Sequence, residues 1–118
     1  MPVGRRFAVI VAGGQGRRMN NEVPKQFIEI SGKPVLVYTL ESFLRVEVDV
    51  LILVMAKNHL ERWKSIKKQW LPKHSIQIVD GGETRFQSVR NGLKWLEGPG
   101  IVAIHDASRP CVSAQLIN

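Results

Sequence analysis

The sequence predicts an α/β fold organised around a mostly parallel sheet, and three observations carry that expectation. Short apolar runs alternate with stretches of helical periodicity along the chain. The runs are rich in Val and Ile without polar alternation, as strands buried on both faces require. The residues that can carry chemistry gather just after the carboxyl ends of these runs, where open α/β sheets form their ligand crevice.

The elements follow in order. Phe7–Val11 is a strand that runs into a loop with glycines at 13, 14 and 16. Phe27–Ile30 and Pro34–Val35 flank Ser31-Gly32-Lys33, a small turn that leads into a helix at Leu36–Leu44. Asp49–Met55 is the second buried strand and Asn58–Trp70 the next helix. Ile76–Val79 is a third strand, ending in Asp80-Gly81-Gly82. Thr84–Leu96 is expected to be an amphipathic helix with Phe86, Val89, Leu93 and Leu96 inward. Ile101–Ile104 is a fourth strand ending at His105-Asp106, and a further helix is expected after Ser113. Repeated βα units of this kind imply parallel strands covered by helices.

Composition bounds the function. At 118 residues and 44% hydrophobic content, the chain is at most one domain with a modest core. No apolar stretch approaches the ~18 residues of a membrane span, so no membrane partner is expected. Arg5-Arg6 precede an apolar run that breaks at Gly13, too short for the core of an export signal. Cys111 is the only cysteine, which excludes an intramolecular disulfide and makes a reducing cytoplasm the expected location. The net charge of +7 favours anionic partners. Much of that charge lies between Lys57 and Lys73, where Lys64, Lys67 and Lys68 interleave with Trp63 and Trp70. A basic RNA-binding surface has this composition. However, Leu60, Trp63, Ile66 and Trp70 recur at helical spacing, which turns the tryptophans to the core and leaves the lysines solvated. No nucleic-acid partner is therefore expected.

The glycine loop is the most informative segment. Glycines let backbone N–H groups approach a phosphate chain, and Arg17, Arg18 and, after Pro24, Lys25 supply positive charge. A Walker A loop is excluded, because Gly16 is followed by Arg17-Arg18 rather than Lys-Ser/Thr. The dinucleotide fingerprint is excluded too, because Met19 stands where its third glycine belongs. A tight βα connection would also carry such glycines, but Arg18 and Lys25 on the same segment point to a nucleoside triphosphate site. The second cluster, Asp80 to Arg85, places bare backbone ahead of a helix carrying Ser88, which suits main-chain recognition of a flat base. In it Thr84 or Glu83 serves as the N-cap. The third cluster is His105-Asp106-Ala107-Ser108-Arg109-Pro110. A carboxylate at a strand end, facing a triphosphate, is a natural Mg²⁺ ligand, although Asp106 would also serve as a helix cap. His105 has no second histidine at metal spacing and is expected to be structural.

Together these residues resemble the 2-C-methyl-D-erythritol 4-phosphate cytidylyltransferase family. The likeness lies in Ala12-Gly13-Gly14-Gln15-Gly16-Arg17-Arg18-Met19, Pro24-Lys25-Gln26, and Gly81-Gly82 through Arg85. It continues in Ser88-Val89 with Asn91-Gly92-Leu93, and in His105 through Pro110. Two departures are mild: Gly13 and Ser108 each stand where alanine is usual. The resemblance implies a Rossmann-like nucleotidyltransferase fold with helices on both faces of the sheet. It implies transfer of CMP from CTP to methylerythritol 4-phosphate with release of pyrophosphate, a step of non-mevalonate isoprenoid biosynthesis. Ribitol 5-phosphate cytidylyltransferase shares most of these motifs and is one alternative; a basic, non-enzymatic RNA-binding domain using the Lys/Trp segment is the other. By the same resemblance Arg18 and Lys25 are catalytic and Asp106 binds Mg²⁺ or another divalent cation. Ala12, Gly13, Gly14, Gly16, Gly81, Gly82, Glu83, Ser88 and Ala107 bind CTP, and Arg109 meets the acceptor phosphate. Residues 1–118 would then be the N-terminal, CTP-binding portion of one cytidylyltransferase domain. The rest of such an enzyme supplies a second metal carboxylate, most acceptor contacts and the arm of a homodimer. The 118 residues are accordingly expected to lack transfer activity alone and to leave Ile101–Ile104 as an apolar sheet edge.

Overall fold

The computed structural model describes residues 5–12, 24–96, 98 and 100–108. Its elements are β1 (Arg5–Ala12), a 3₁₀ turn (Lys25–Phe27), β2 (Glu29–Ile30), β3 (Lys33–Pro34) and α1 (Val35–Arg45). There follow β4 (Val50–Met55), a second 3₁₀ turn (Lys57–His59), α2 (Leu60–Trp70), β5 (Gln77–Asp80), α3 (Arg85–Leu93) and β6 (Gly100–Asp106). The main sheet has the order β5-β4-β1-β6, and every neighbouring pair is parallel. β2 and β3 form a separate antiparallel hairpin. Its two turn residues, Ser31 and Gly32, have φ of 56° and 81°, the left-handed pair that a two-residue hairpin with native twist demands.

Strand alternation sorts the core into two layers. Ala8, Ile10 and Ala12 of β1, with Leu51, Leu53 and Met55 of β4, face one side. There they meet Leu36, Val37, Leu40 and Phe43 of α1 and Trp63 and Ile66 of α2. Val9, Val11, Ile52, Val54 and Val79 face the other side, under Val89 of α3 and Leu96. Helices therefore cover both faces, and the continuous apolar runs are buried on both, as expected. Trp63 is 2% exposed while Lys64 and Lys68 lie on the surface, so α2 presents its lysines to solvent and its apolar stripe to the sheet.

α3 departs from expectation. Its regular turns end at Leu93, and Phe86 and Leu93 are 72% and 38% exposed rather than inward. Gly92 is the reason. A Cβ there would lie 2.8 Å from Val9 Cγ1 and 2.9 Å from Val54 Cγ2, so the helix approaches the sheet more closely than a side chain permits. At ~100° per residue that contact puts Ser88 and Val89 on the inner face and turns Phe86 and Leu93 away.

β6 is an edge of the sheet, with Ile101, Val102 and Ile104 exposed. The apolar edge expected from the sequence is present among the described residues.

Candidate active site at the carboxyl ends of the strands

The chain runs from β1 outward through β4 to β5, and then returns to place β6 on the other side of β1. Strand order thus reverses between β1 and β6, and ligands of open α/β sheets bind outside the carboxyl ends at such a switch point. Pairing aligns those ends: Val11 with Asp106, Ala12 with Met55, and Met55 with Asp80. Three inter-strand steps of roughly 4.8 Å separate β5 from β6, so Asp80 and Asp106 bracket a sheet edge about 14 Å wide.

At the β6 end, the Asp106 carboxylate is held in place. Its Oδ1 accepts from the Ser108 backbone N–H at 3.0 Å and from the Ser108 hydroxyl at 2.9 Å. This is the self-capped Asx geometry of a tight turn. Oδ2 accepts no hydrogen bond from the described residues. Ala107 is fully buried, its N–H donates to the Val11 carbonyl at 2.8 Å, and its own carbonyl accepts from the Thr39 hydroxyl at 2.9 Å. Thr39, on the buried face of α1, therefore ties the turn after β6 to the first helix. The His105 ring packs against Phe43 in a tilted arrangement, with centroids 5.6 Å apart.

At the β5 end, three consecutive N–H groups each have an acceptor. Gly81 N–H donates to the Met55 carbonyl at 2.9 Å, which docks the turn on β4. Gly82 N–H donates to Ser88 Oγ at 3.0 Å, and Glu83 N–H to Gln87 Oε1 at 2.8 Å, which dock it on α3. Thr84 is the N-cap, accepting from Gln87 N–H at 3.1 Å. Asn91 donates to the Asp80 carbonyl at 3.0 Å. With its donors occupied, the turn offers acceptors: among the described residues nothing donates to the carbonyls of Gly81 or Gly82. Lys57 lies 3.8 Å from the Asp80 carboxylate, an exposed pair of little energetic weight.

Lys25 opens the first 3₁₀ turn with its side chain exposed, while Gln26 and Phe27 behind it are buried. The Gln26 amide nitrogen meets no acceptor among the described residues. A groove of about 510 Å³ lined by Phe27, Ile28, Pro34, Arg62 and Ile66 lies beside this turn, not at the strand ends. Gly13, Gly14, Gly16, Arg18 and Arg109 lie outside the described residues. So do Cys111 and the helix expected after Ser113.

A sequence model described as 2-C-methyl-D-erythritol 4-phosphate cytidylyltransferase matches residues 7–118. The chain belongs to this family. The cytidylyltransferase of Bacteroides fragilis is 48% identical over 113 residues, covering 95% of this chain and 52% of that protein. Among solved structures, 4-diphosphocytidyl-2C-methyl-D-erythritol synthase from Anaerococcus prevotii superposes with a TM-score of 0.76 at 34% identity, over 95% of this chain and 47% of that one. Rv0371c of Mycobacterium tuberculosis, crystallised with manganese, shares the fold at 18% identity. Its TM-score is 0.72, over 98% of this chain and 57% of that one. The chain spans about half the length of the curated relatives it matches. The fold of the cytidylyltransferase family is thus present, a parallel sheet with helices on both faces.

Of the positions expected to serve a cytidylyltransferase site, Ala12, Asp106 and Ala107 meet at the β1/β6 switch point. Gly81, Gly82, Glu83 and Ser88 form one hydrogen-bonded unit two strands away from β1. Lys25 is not brought into hydrogen-bond contact with either group among the described residues. Two supporting side chains escape a reading of the sequence for site residues. Gln87 is inconspicuous within a helical pattern, although a glutamine three residues after a Thr N-cap is a capping signal. Thr39 is hidden in a helix that also carries the hydroxyls of Tyr38 and Ser42, so nothing in the sequence singles it out.

Proposed function

We propose that this chain forms the nucleotide-binding half of an enzyme that transfers CMP from CTP to 2-C-methyl-D-erythritol 4-phosphate, releasing pyrophosphate. The observation that carries the reading is the convergence on one sheet end of an acceptor-rich glycine turn and a fixed carboxylate, either side of the β1 exit. The reacting groups are both anionic. The acceptor's phosphate oxygen attacks the α-phosphorus of CTP, a new P–O bond forms, and the bond to the leaving pyrophosphate breaks. Little covalent work falls to the protein, so positioning and charge neutralisation account for catalysis.

In this proposal the carbonyls of Gly81 and Gly82 accept from the exocyclic amine of cytosine. Uracil lacks that donor and carries an oxygen in its place. Ser88, whose Oγ receives the Gly82 N–H, keeps its own hydroxyl proton to donate to the base. Ala12, Gly13, Gly14 and Gly16 admit the triphosphate to main-chain N–H groups, and Ala107 closes the floor beside them. Arg18 and Lys25 neutralise charge growing on the transferred group, and Arg109 holds the acceptor phosphate. Asp106 suits one ligand position of a divalent cation, Mg²⁺ or the chemically similar Mn²⁺. Its Oδ1 is anchored by Ser108, and Oδ2 receives no donor from the described residues. When bound, such an ion would screen the triphosphate charge. A cytoplasmic homodimer of the relatives' full length is part of the proposal on family grounds.

The test is calorimetric titration of a protein of the relatives' length carrying this sequence, with CTP, ATP and a short RNA in Mg²⁺. CTP is expected to bind at least tenfold more tightly than ATP. A purine carried into the Gly81-Gly82 turn leaves hydrogen-bonding groups unmatched, at about 1–3 kcal/mol each. Equal affinity for ATP and CTP would refute the assignment. RNA binding that falls steeply with salt and ignores CTP would favour a nucleic-acid module instead. Of the two tryptophans that alternative would use, Trp63 is buried and cannot stack on a base, and Trp70 is partly buried against the core. Turnover with methylerythritol phosphate against ribitol phosphate decides the acceptor.

A further inference from the structure

We infer that Gln87 is a positioning residue for nucleobase selection: its side-chain amide oxygen sets the turn that distinguishes cytosine from uracil. The inference rests on the proposed CTP reading and deepens it.

Two of the three residues in the turn from Gly81 to Glu83 are glycine and have no side chain to hold it. Its shape is imposed by what receives its N–H groups. Met55 of β4 receives the first and Ser88 the second. The third goes to Gln87 Oε1 at 2.8 Å, the shortest of the three bonds. Gln87 also touches the turn sterically. A Cβ on Gly82 would overlap Gln87 Cβ, lie 3.0 Å from Oε1, and sit 3.2 Å from the Gln87 backbone carbonyl carbon. Gly82 thus lies flat on Gln87, gripped between its side-chain stem and its amide oxygen.

The Gln87 backbone is itself fixed, because its N–H is the donor that Thr84 caps. The arrangement resembles a capping box moved one residue outward: the side chain reaches Glu83 N–H rather than the N-cap's own. Every peptide plane in the turn then has a set orientation, and the carbonyls of Gly81 and Gly82 are left as acceptors. Rotation of the Gly82–Glu83 peptide would turn the Gly82 carbonyl aside and present the Glu83 N–H instead. A donor at that position suits the uracil O4 acceptor, and an acceptor suits the cytosine amine. By holding Glu83 N–H, Gln87 selects the second state without touching the base.

The experiment compares Gln87→Met and Gln87→Glu in a protein of the relatives' length carrying this sequence. Met keeps the length of the side chain and removes the acceptor; Glu keeps an acceptor in the same place. Two readouts are taken: the ratio of kcat/KM for CTP to that for UTP, and hydrogen exchange of the Glu83 amide. In Gln87→Met the ratio is expected to fall at least tenfold, mainly through a higher KM for CTP, with faster Glu83 exchange. In Gln87→Glu both are expected to stay within about threefold of the parent. An unchanged ratio in Gln87→Met, or an equal fall in both variants, overturns the inference. If Gln87→Met does not fold, Gln87→Asn, too short to reach Glu83, takes its place with the same readouts and the same expected outcomes. A parent protein that fails to prefer CTP would instead overturn the function proposed above, which keeps the two failures distinct.

Discussion

Two adjacent glycines in the same turn should respond very differently to one added methyl group. At Gly81 a Cβ would lie 3.3 Å from Ser88 Oγ and 3.5 Å from the Met55 carbonyl carbon, a slight crowding that a hydroxyl can relieve. At Gly82 it would overlap Gln87 Cβ and press on the Gln87 backbone at 3.2 Å. Neither atom moves with a change of rotamer, because both are fixed by the helix. The turn must therefore retreat from α3 by on the order of 1 Å before carbon atoms regain an ordinary separation of ~3.5–4.0 Å.

Retreat by that distance breaks the Gly82–Ser88 and Glu83–Gln87 hydrogen bonds, now 3.0 and 2.8 Å. Each contributes about 0.5–1.5 kcal/mol net, so Gly82→Ala should lose ~1–3 kcal/mol of turn order. If CTP binding requires the ordered turn, affinity falls by roughly 5- to 150-fold, since 1.4 kcal/mol is a factor of ten. Gly81→Ala should lose distinctly less. Titration calorimetry with CTP on both variants measures the difference, and a thermal melt shows that α3 remains packed. The decisive adverse result is a Gly82→Ala protein that binds CTP within twofold of the parent. It would mean that this turn does not touch the nucleotide, or that α3 yields more easily than its contacts at Gly92 allow.

The remaining predictions concern catalysis and association. Arg18→Ala and Lys25→Ala, in a protein of the relatives' length, should lower turnover by ~10²–10³-fold with a much smaller effect on CTP affinity, as expected for groups that stabilise developing charge. Steady-state kinetics beside CTP titration checks this, and near-normal turnover in both variants would make them surface residues. The purified 118-residue chain should show no CTP-dependent pyrophosphate release and should self-associate through β6, whose Ile101, Val102 and Ile104 are exposed along an edge unpaired among the described residues. Light scattering on the chain and on Ile101→Lys with Ile104→Lys tests the second part; a monodisperse monomer before substitution would refute it.

What the sequence disclosed depended on how local the determining physics is. Phe7–Val11 and Asp49–Met55 were legible as central strands because unbroken Val, Ile and Leu runs suit only a position buried on both faces. The glycine turn after β5 and Asp106 at the end of β6 could be placed at one end of the sheet because parallel topology sends every strand's carboxyl end the same way. The packing of α3 was not legible. Hydrophobic periodicity assumes that large apolar residues face inward, whereas close approach at Gly92 gives the inner face to small ones. Nor could a sequence pair Thr39 with the carbonyl of Ala107, 68 residues away, since that contact exists only once β6 lies beside β1. The direction of hydrogen bonding at Gly81-Gly82 was likewise hidden. Bare backbone suggested donors and acceptors alike, and only the partners at Met55, Ser88 and Gln87 leave the acceptors.

Strand order also separates two kinds of work. The turn that would select the base hangs from β5 and α3, while the carboxylate sits at the end of β6, about 14 Å across the sheet end by inter-strand spacing. Between them lie the ends of β4 and β1, where Met55 and Ala12 are buried and apolar. No side-chain hydrogen bond links the β5 group to the β6 group among the described residues. Sites this far apart with no shared partner perturb free energy almost independently. Substitutions at Gly82 or Gln87 should therefore combine nearly additively with substitutions at Asp106. The two groups still share one rigid element, the pair β1 and β4, which are fully registered from Phe7–Val50 to Ala12–Met55. That shared pair fixes the separation of the two groups. On the proposed reading, a nucleotide spanning them would be aligned by one rigid frame, and alignment of this kind lowers a phosphoryl-transfer barrier.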